Sequence, residues 1–326
     1  MAGAIDISKY TAAKKNEWDQ FIDHSKNGTF HLKRDFVEYH GDKFLDLSLM
    51  CYQDKNLVAV LPGTVRNNNY YSHLGLTYGG VVVKRDVYLS HYIDIFSSLI
   101  LYLKKQGFGC LSVKTIPASY ALISNDDFLF CMFRAGASIS RTDLLPHIKM
   151  AERLSYQSRR KRAIKKALAS NLEFAENTNF TNYWMILGEL LKDHGTLPVH
   201  SLEEITYLHR HFPKSIRLFE VSQNDQLLAG VLIFETDRVA RAQYIASTRE
   251  GKIVGALDYL FDVLIDQVYV DKEWFEFGTT TLNGGKKLNL GLSDQKEGFG
   301  ARTILQLGLE LDLQNYDEQT FKKIVE

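Results

Sequence analysis

Apolar residues recur every three or four positions between Ser90 and Lys105, through Ile93, Phe96, Ile100 and Leu103. That spacing predicts a helix with one buried face. Gly107 ends it, and the run from Cys110 to Lys114 predicts the next strand. Upstream, Trp18 to His24 places Trp18, Phe21 and Ile22 on one helical side. Asp46 to Tyr52 and Leu57 to Leu61 then read as two strands joined by a turn at Asp54-Lys55-Asn56. A further apolar strand ends at Gly79-Gly80-Val81-Val82-Val83. The second half repeats this order, with strands at Ile216 to Val221 and Leu227 to Phe234 around a turn at Ser222 to Gln226. A strand from Arg241 to Ala246, a helix from about Ala256 to Val270 and a strand from Trp274 to Phe277 complete it. Val58-Ala59-Val60 aligns with Leu228-Ala229-Gly230 at an offset of 170 residues. Two βββαβ halves of that length account for nearly the whole chain.

Composition narrows the class. The 326 residues are 45% hydrophobic and 12% aromatic, with 39 basic and 39 acidic side chains. A balanced charge argues against a general nucleic-acid binder. The start lacks the layout of a signal peptide, and the run from Ile95 to Leu103 is too short to cross a bilayer. Cys51, Cys110 and Cys131 show no CxxC spacing and read as reduced core residues of a cytosolic protein. The spacing of His194, His200, His209 and His211 fits no zinc pattern, so no metal is expected.

Charge concentrates where the halves join. Arg153, Arg159, Arg160, Lys161, Arg162, Lys165 and Lys166 fall between Glu152 and Glu173 with no acid among them. On a helical projection Arg160 lies within the apolar arc and must reach out or find an anionic partner. The segment is either a solvated amphipathic helix or a landing site for a pyrophosphate.

Near the C-terminus, glycines surround Lys296 in the phrase Lys296-Glu297-Gly298-Phe299-Gly300. Two readings fit: a flexible surface loop, or a glycine-rich loop presenting a lone cation to a phosphate, carboxylate or developing oxyanion.

These phrases, together with Gly28-Thr29-Phe30-His31, Tyr39-His40, Ser72-His73-Leu74-Gly75-Leu76-Thr77-Tyr78-Gly79-Gly80, Ile164-Lys165-Lys166-Ala167, His200-Ser201-Leu202-Glu203-Glu204-Ile205, Ala242-Gln243-Tyr244-Ile245-Ala246 and Leu288-Asn289-Leu290-Gly291-Leu292, resemble FemAB-like acyl and aminoacyl transferases. The resemblance implies an α+β fold of two tandem GNAT-like domains, each a mixed, mostly antiparallel sheet flanked by helices. The expected domains are 1–150, on the acceptor side and without catalytic residues, and 151–326, on the acyl-CoA side and beginning with the basic helix. It further implies an acceptor cleft lined by His31, Tyr39, Ser72, His73, Tyr78 and the basic helix with Arg160 and Arg162. Coenzyme A phosphates would meet the turn after Ala246, at Arg249, Gly251, Lys252 and Gly255. Lys296 maps onto a lysine thought to steady charge during transfer.

Acyl transfer to an amine needs a proton acceptor, for which His200, Glu204 and Tyr244 are candidates. Ser201-Leu202-Glu203-Glu204 also has the form of a capping box, so Glu204 has a purely helical alternative. No long helical hairpin interrupts the second half, which argues against tRNA as donor. The chain is similar to the shorter members found in bacterial surface-polysaccharide gene sets. The expected function is therefore cytoplasmic N-acyl transfer from acetyl-CoA or another acyl-CoA to an amine of an amino sugar, nucleotide-linked or lipid-linked. The alternatives are an aminoacyl-tRNA-dependent transferase acting on a peptidoglycan precursor and a non-catalytic nucleotide-sugar binding protein.

Overall fold

Short reversals built on Asn and Asp set the strand pairing. Asp54 and Lys55 turn at φ 49° and 67°, and Asn224 and Asp225 at 50° and 63°. Such two-residue turns match the twist of the strands that they join. In the computed structural model, which describes residues 4–72, 74–193 and 195–323, each closes an antiparallel hairpin. The chain forms two compact units. One comprises residues 1–143, 284–286 and 305–326; the other comprises 144–283 and 287–304.

In the first unit, β1 (Asp6–Lys9), β2 (Leu49–Gln53), β3 (Asn56–Leu61) and β4 (Val82–Val83) lie side by side in that order. Helix α1 (Leu89–Lys105) buries Tyr92, Ile95, Phe96, Leu99 and Leu103 against Leu49, Cys51 and Val58 of these strands. The same face meets Leu111 and Val113 of β5 (Cys110–Lys114). Burial pushes the Cys131 thiol up to about 12, so it stays protonated. The free edge of β5 is taken by Gly308 to Asp312, from the far end of the chain. The expected boundary at 150 places those residues in the other domain.

The second unit begins inside β6 (Ser138–Lys149) and continues with the basic helix α2 (Ser158–Leu168) and β7 (Glu173–Asn177). Helices α3 (Thr181–Asp193) and α4 (Leu202–His211) follow, then β8 (Ile216–Gln223), β9 (Gln226–Glu235) and β10 (Val239–Ser247). The remaining elements are α5 (Arg249–Val254), α6 (Ala256–Val263), β11 (Trp274–Glu276) and α7 (Leu290–Glu297). The sheet runs β7-β8-β9-β10-β11, with β11 completed on its far side by His147 to Lys149 of β6. Hairpin strands β3 and β9 begin 170 residues apart, as the repeat in the sequence predicts.

The helix expected from Ala256 to Val270 is shorter, ending at Val263 and widening into a π turn at Leu264–Val268. The expected loop before it is itself partly helical. Thr248 caps α5 by accepting from the Gly251 N–H, and Gly255 breaks the chain at φ 79° before α6 starts. A side chain at Gly255 would also stand 2.7 Å from the Ala163 carbonyl oxygen of α2. Gly255→Ala is therefore expected to destabilise the protein by about 1–3 kcal/mol, read as a lower urea midpoint; an unchanged midpoint contradicts this account.

Candidate functional site

Strand β10 outlasts its neighbour. It pairs with β11 in parallel from Val239↔Trp274 to Arg241↔Glu276, then continues to Ser247 against β9 alone among the described residues. A bulge at Gln243 interrupts the β9 pairing, since Leu232 faces Tyr244 and Ile233 faces Ala242. Beyond the bulge, Tyr244 turns to the α3 side, where its ring meets Trp184 edge-on at 5.4 Å.

A cavity of about 250 Å³ opens where β10 and β11 part. Ile245, Ala246 and Ser247 form one wall and Leu190 of α3 another. Leu257 and Phe261 of α6 and Leu292 of α7 enclose it. Phe261, Phe277 and Phe299, which also line it, pack on one another with ring centroids 5.0–5.8 Å apart. The polar side chains on this apolar surface are Ser247, Lys252, Gln295 and Lys296.

Lys296 does not sit on a loop. Asn289 caps α7 by accepting from the Leu292 N–H at 3.0 Å, and the helix runs to Glu297 despite Gly291. The lysine thus faces inward from the last helical turn, only 4% exposed. Its Nζ donates to the carbonyls of Gly278 at 2.9 Å and Thr279 at 3.0 Å. Burial, reinforced by the Arg241 charge and opposed by Glu276, brings its pKa down to about 7. A buried lysine of this kind exchanges protons near neutral pH.

His200 and Tyr244 are brought together, with Nδ1 2.7 Å from the phenol oxygen. Burial pushes the phenol up to about 12. Both side chains are buried and neither lines the cavity. Glu204 is half-buried and completes the capping box of α4, its carboxylate accepting from the Ser201 N–H at 2.8 Å. Ala246 and Lys252 line the cavity, and Arg249 opens α5 on the surface. Gly251 serves packing: a Cβ there would stand 2.3 Å from the Leu228 carbonyl oxygen.

The basic segment is less free than its sequence implies. Arg153 pairs with Asp266, Arg160 Nη1 lies 2.5 Å from Asp258 Oδ1, and Arg159 donates to the Asp294 carbonyl. The Arg160 guanidinium also sits 5.4 Å from the Phe299 ring centre. Lys161, Arg162, Lys165 and Lys166 remain exposed.

In the first unit, His31, Tyr39 and Tyr78 fall into one aromatic cluster, Tyr78 Oη lying 3.0 Å from His31 Nδ1. Ser72 is buried and accepts from the Gly80 N–H at 2.8 Å. His73 lies outside the described residues. Sequence reasoning missed Arg241, Glu276 and His147, which line up across β10, β11 and β6 behind Lys296. The available signal was Glu276, an acid inside the apolar run Trp274-Phe275-Glu276-Phe277. Among the described residues, no group of three or more His, Cys, Asp or Glu is placed to hold a metal, and no helix is long and apolar enough to cross a membrane.

Folding must desolvate the Lys296 ammonium, at a cost on the order of a few kcal/mol. With its folded pKa lowered to about 7, that cost is full below pH 7. It fades as pH rises toward the unfolded lysine value of about 10.4. Lys296→Met is therefore expected to gain stability over the parent protein at pH 6 and to lose that advantage by pH 10. A difference independent of pH in denaturant titrations would show that the ammonium is not desolvated.

No family model matches the chain, and no curated protein matches its sequence. Solved structures do match it. FemX superimposes with a TM-score of 0.65 at 11% identity, covering 98% of this chain and 99% of that one. L-PGS from Bacillus licheniformis gives 0.58 at 10% identity, covering 99% and 97%. A tandem GNAT protein from the clavulanic acid biosynthesis pathway gives 0.52 at 10% identity, covering 96% and 100%. Identities this low carry the fold alone: the chain is a mixed α+β protein with a tandem GNAT-like fold.

Proposed function

We propose that the protein is an N-acyltransferase that takes a small acyl group from acyl-CoA in the β10–β11 splay and passes it to an amine. The observation that carries this reading is an apolar cavity at an open strand edge, with a buried lysine in its wall. No strand among the described residues pairs with the far edge of β10 beyond Arg241. Its backbone groups are placed to bond an extended, amide-bearing arm as an added strand would. Lys252 in the cavity wall and Arg249 nearby in sequence on α5 supply positive charge for phosphates.

Bound acyl-CoA would supply the acyl group as a thioester. Attack requires a neutral amine. With a pKa of about 7, a substantial share of Lys296 is itself neutral at physiological pH, so Nζ can take the proton of the attacking nitrogen. The Gly278 and Thr279 carbonyls then hold the resulting ammonium while the new C–N bond replaces the thioester C–S bond and coenzyme A leaves as its thiolate. The three packed phenylalanines keep water from the centre. The acceptor class, an amino sugar or nucleotide-linked sugar of cell-surface polysaccharide synthesis, rests on the sequence resemblance.

A second reading keeps the fold and replaces the donor with an aminoacyl-tRNA. The exposed cations of α2, a helix packed against α6 of the cavity wall, favour it.

Thermal-shift and turnover assays with acetyl-CoA, longer acyl-CoAs and charged tRNA separate the two. Acyl-CoA is expected to raise the Tm, and the rate is expected to climb through about pH 7. Lys296→Ala should bind the donor yet lose about 10²–10⁴-fold in kcat. Undiminished turnover in that variant removes the lysine from the chemistry. Binding of charged tRNA without acyl-CoA binding selects the second reading.

A further inference from the structure

Three polar side chains beside the cavity strands form a row. Arg241 and Glu276 face each other across β10 and β11, and Glu276 faces His147 across β11 and β6. Glu276 is fully buried and His147 nearly so. Arg241 Nη1 binds Glu276 Oε1, and His147 Nε2 lies 3.5 Å from Glu276 Oε2. Arg241 Nε donates at 2.9 Å to Gln243, the residue that the bulge adds to β10. The row reaches the active lysine through Gly278. A Cβ at Gly278 would lie 3.8 Å from Arg241 Nη2, and the Gly278 carbonyl accepts from Lys296 Nζ at 2.9 Å.

Glu276 is the acid nearest to this lysine along β11 and its extension, and Arg241 already occupies it. Among the described residues Lys296 forms no ion pair; its ammonium is met by two carbonyls. We infer that Arg241 and Glu276 are positioning residues that act as a matched pair, keeping Lys296 without a counter-ion so that it remains a proton acceptor. Either charge alone would bias the lysine. An unpaired carboxylate would shift it toward the ammonium, and an unpaired guanidinium would shift it toward the neutral amine.

Other charges near the cavity are arranged differently. Lys252 lies on its wall from exposed α5 positions. On α7 itself, Glu297 accepts from the Ser293 hydroxyl at 2.8 Å. Asp258 is taken by Arg160, and Asp294 is exposed to solvent. Burial lowers the His147 pKa, so that ring ends the row as a neutral group.

The inference rests on the reading of Lys296 as proton acceptor, but its test reads the lysine directly, so a failure of transfer activity and a failure of the pair are distinguishable. Carbon-13 NMR of the lysine Cε, assigned with Lys296→Met, follows the titration in the full chain. Glu276→Gln should move the midpoint down and Arg241→Gln should move it up, each by about one pH unit or more, a tenfold change in neutral fraction. Arg241→Lys and the double variant Arg241→Gln/Glu276→Gln should both stay near the parent value. The double variant also covers the case in which single variants fail to fold, since two amides can bond each other without burying a lone charge. Shifts of one sign in both single variants, no shift in either, or a double variant displaced as far as a single one would overturn the inference.

Discussion

A parallel strand pair that stops early leaves backbone groups that no strand among the described residues bonds, and the proposed site depends on that gap. Strand β11 ends at Glu276 while β10 continues to Ser247. The chain after β11 turns at Gly278, with φ 70°, and its carbonyls point to Lys296 instead of to β10. Apolar side chains from α3, α6 and α7 then wall the opening instead of filling it. The cavity is thus a consequence of pairing register, and the lysine is a consequence of where the carbonyls go.

Burying that lysine works against folding unless something is gained. An ammonium among phenylalanines is costly, and two carbonyl acceptors offset part of the penalty. The protein keeps a second, balanced pair of charges immediately behind it, Arg241 with Glu276. Three ionisable groups in so small an apolar region are consistent with the proposed proton transfer. The His200–Tyr244 pair is different: it ties the residue before the α4 cap to β10, lies outside the cavity lining and is buried, hydrogen-bonded structure.

Much of the fold is legible in the sequence because its signals are local. The apolar stripe of α1, the strand at Cys110 to Lys114 and the hairpin turns at Asp54 and Asn224 each follow from a few adjacent residues. The capping box at Ser201 and Glu204 is equally local. Strand β6 is not, because Arg141, Asp143, Pro146 and His147 interrupt its apolar pattern. Lys296 stands out by its isolation, yet its setting is misread: three glycines nearby suggest a loop, whereas the Asn289 cap and tertiary packing hold a helix. The counter-charges of the basic segment are invisible for another reason. Asp258 and Asp266 lie about a hundred residues away, and nothing short of the fold places them beside Arg160 and Arg153.

The most direct examination of the central claim is a crystal structure of the protein with coenzyme A bound. The account predicts the pantetheine arm along the far edge of β10 beyond Arg241, with the sulfur inside the cavity that Lys296 lines and the phosphates toward Lys252. Coenzyme A bound elsewhere, or a splay that stays closed to it while Phe261, Phe277 and Phe299 remain packed across the opening, would contradict the account.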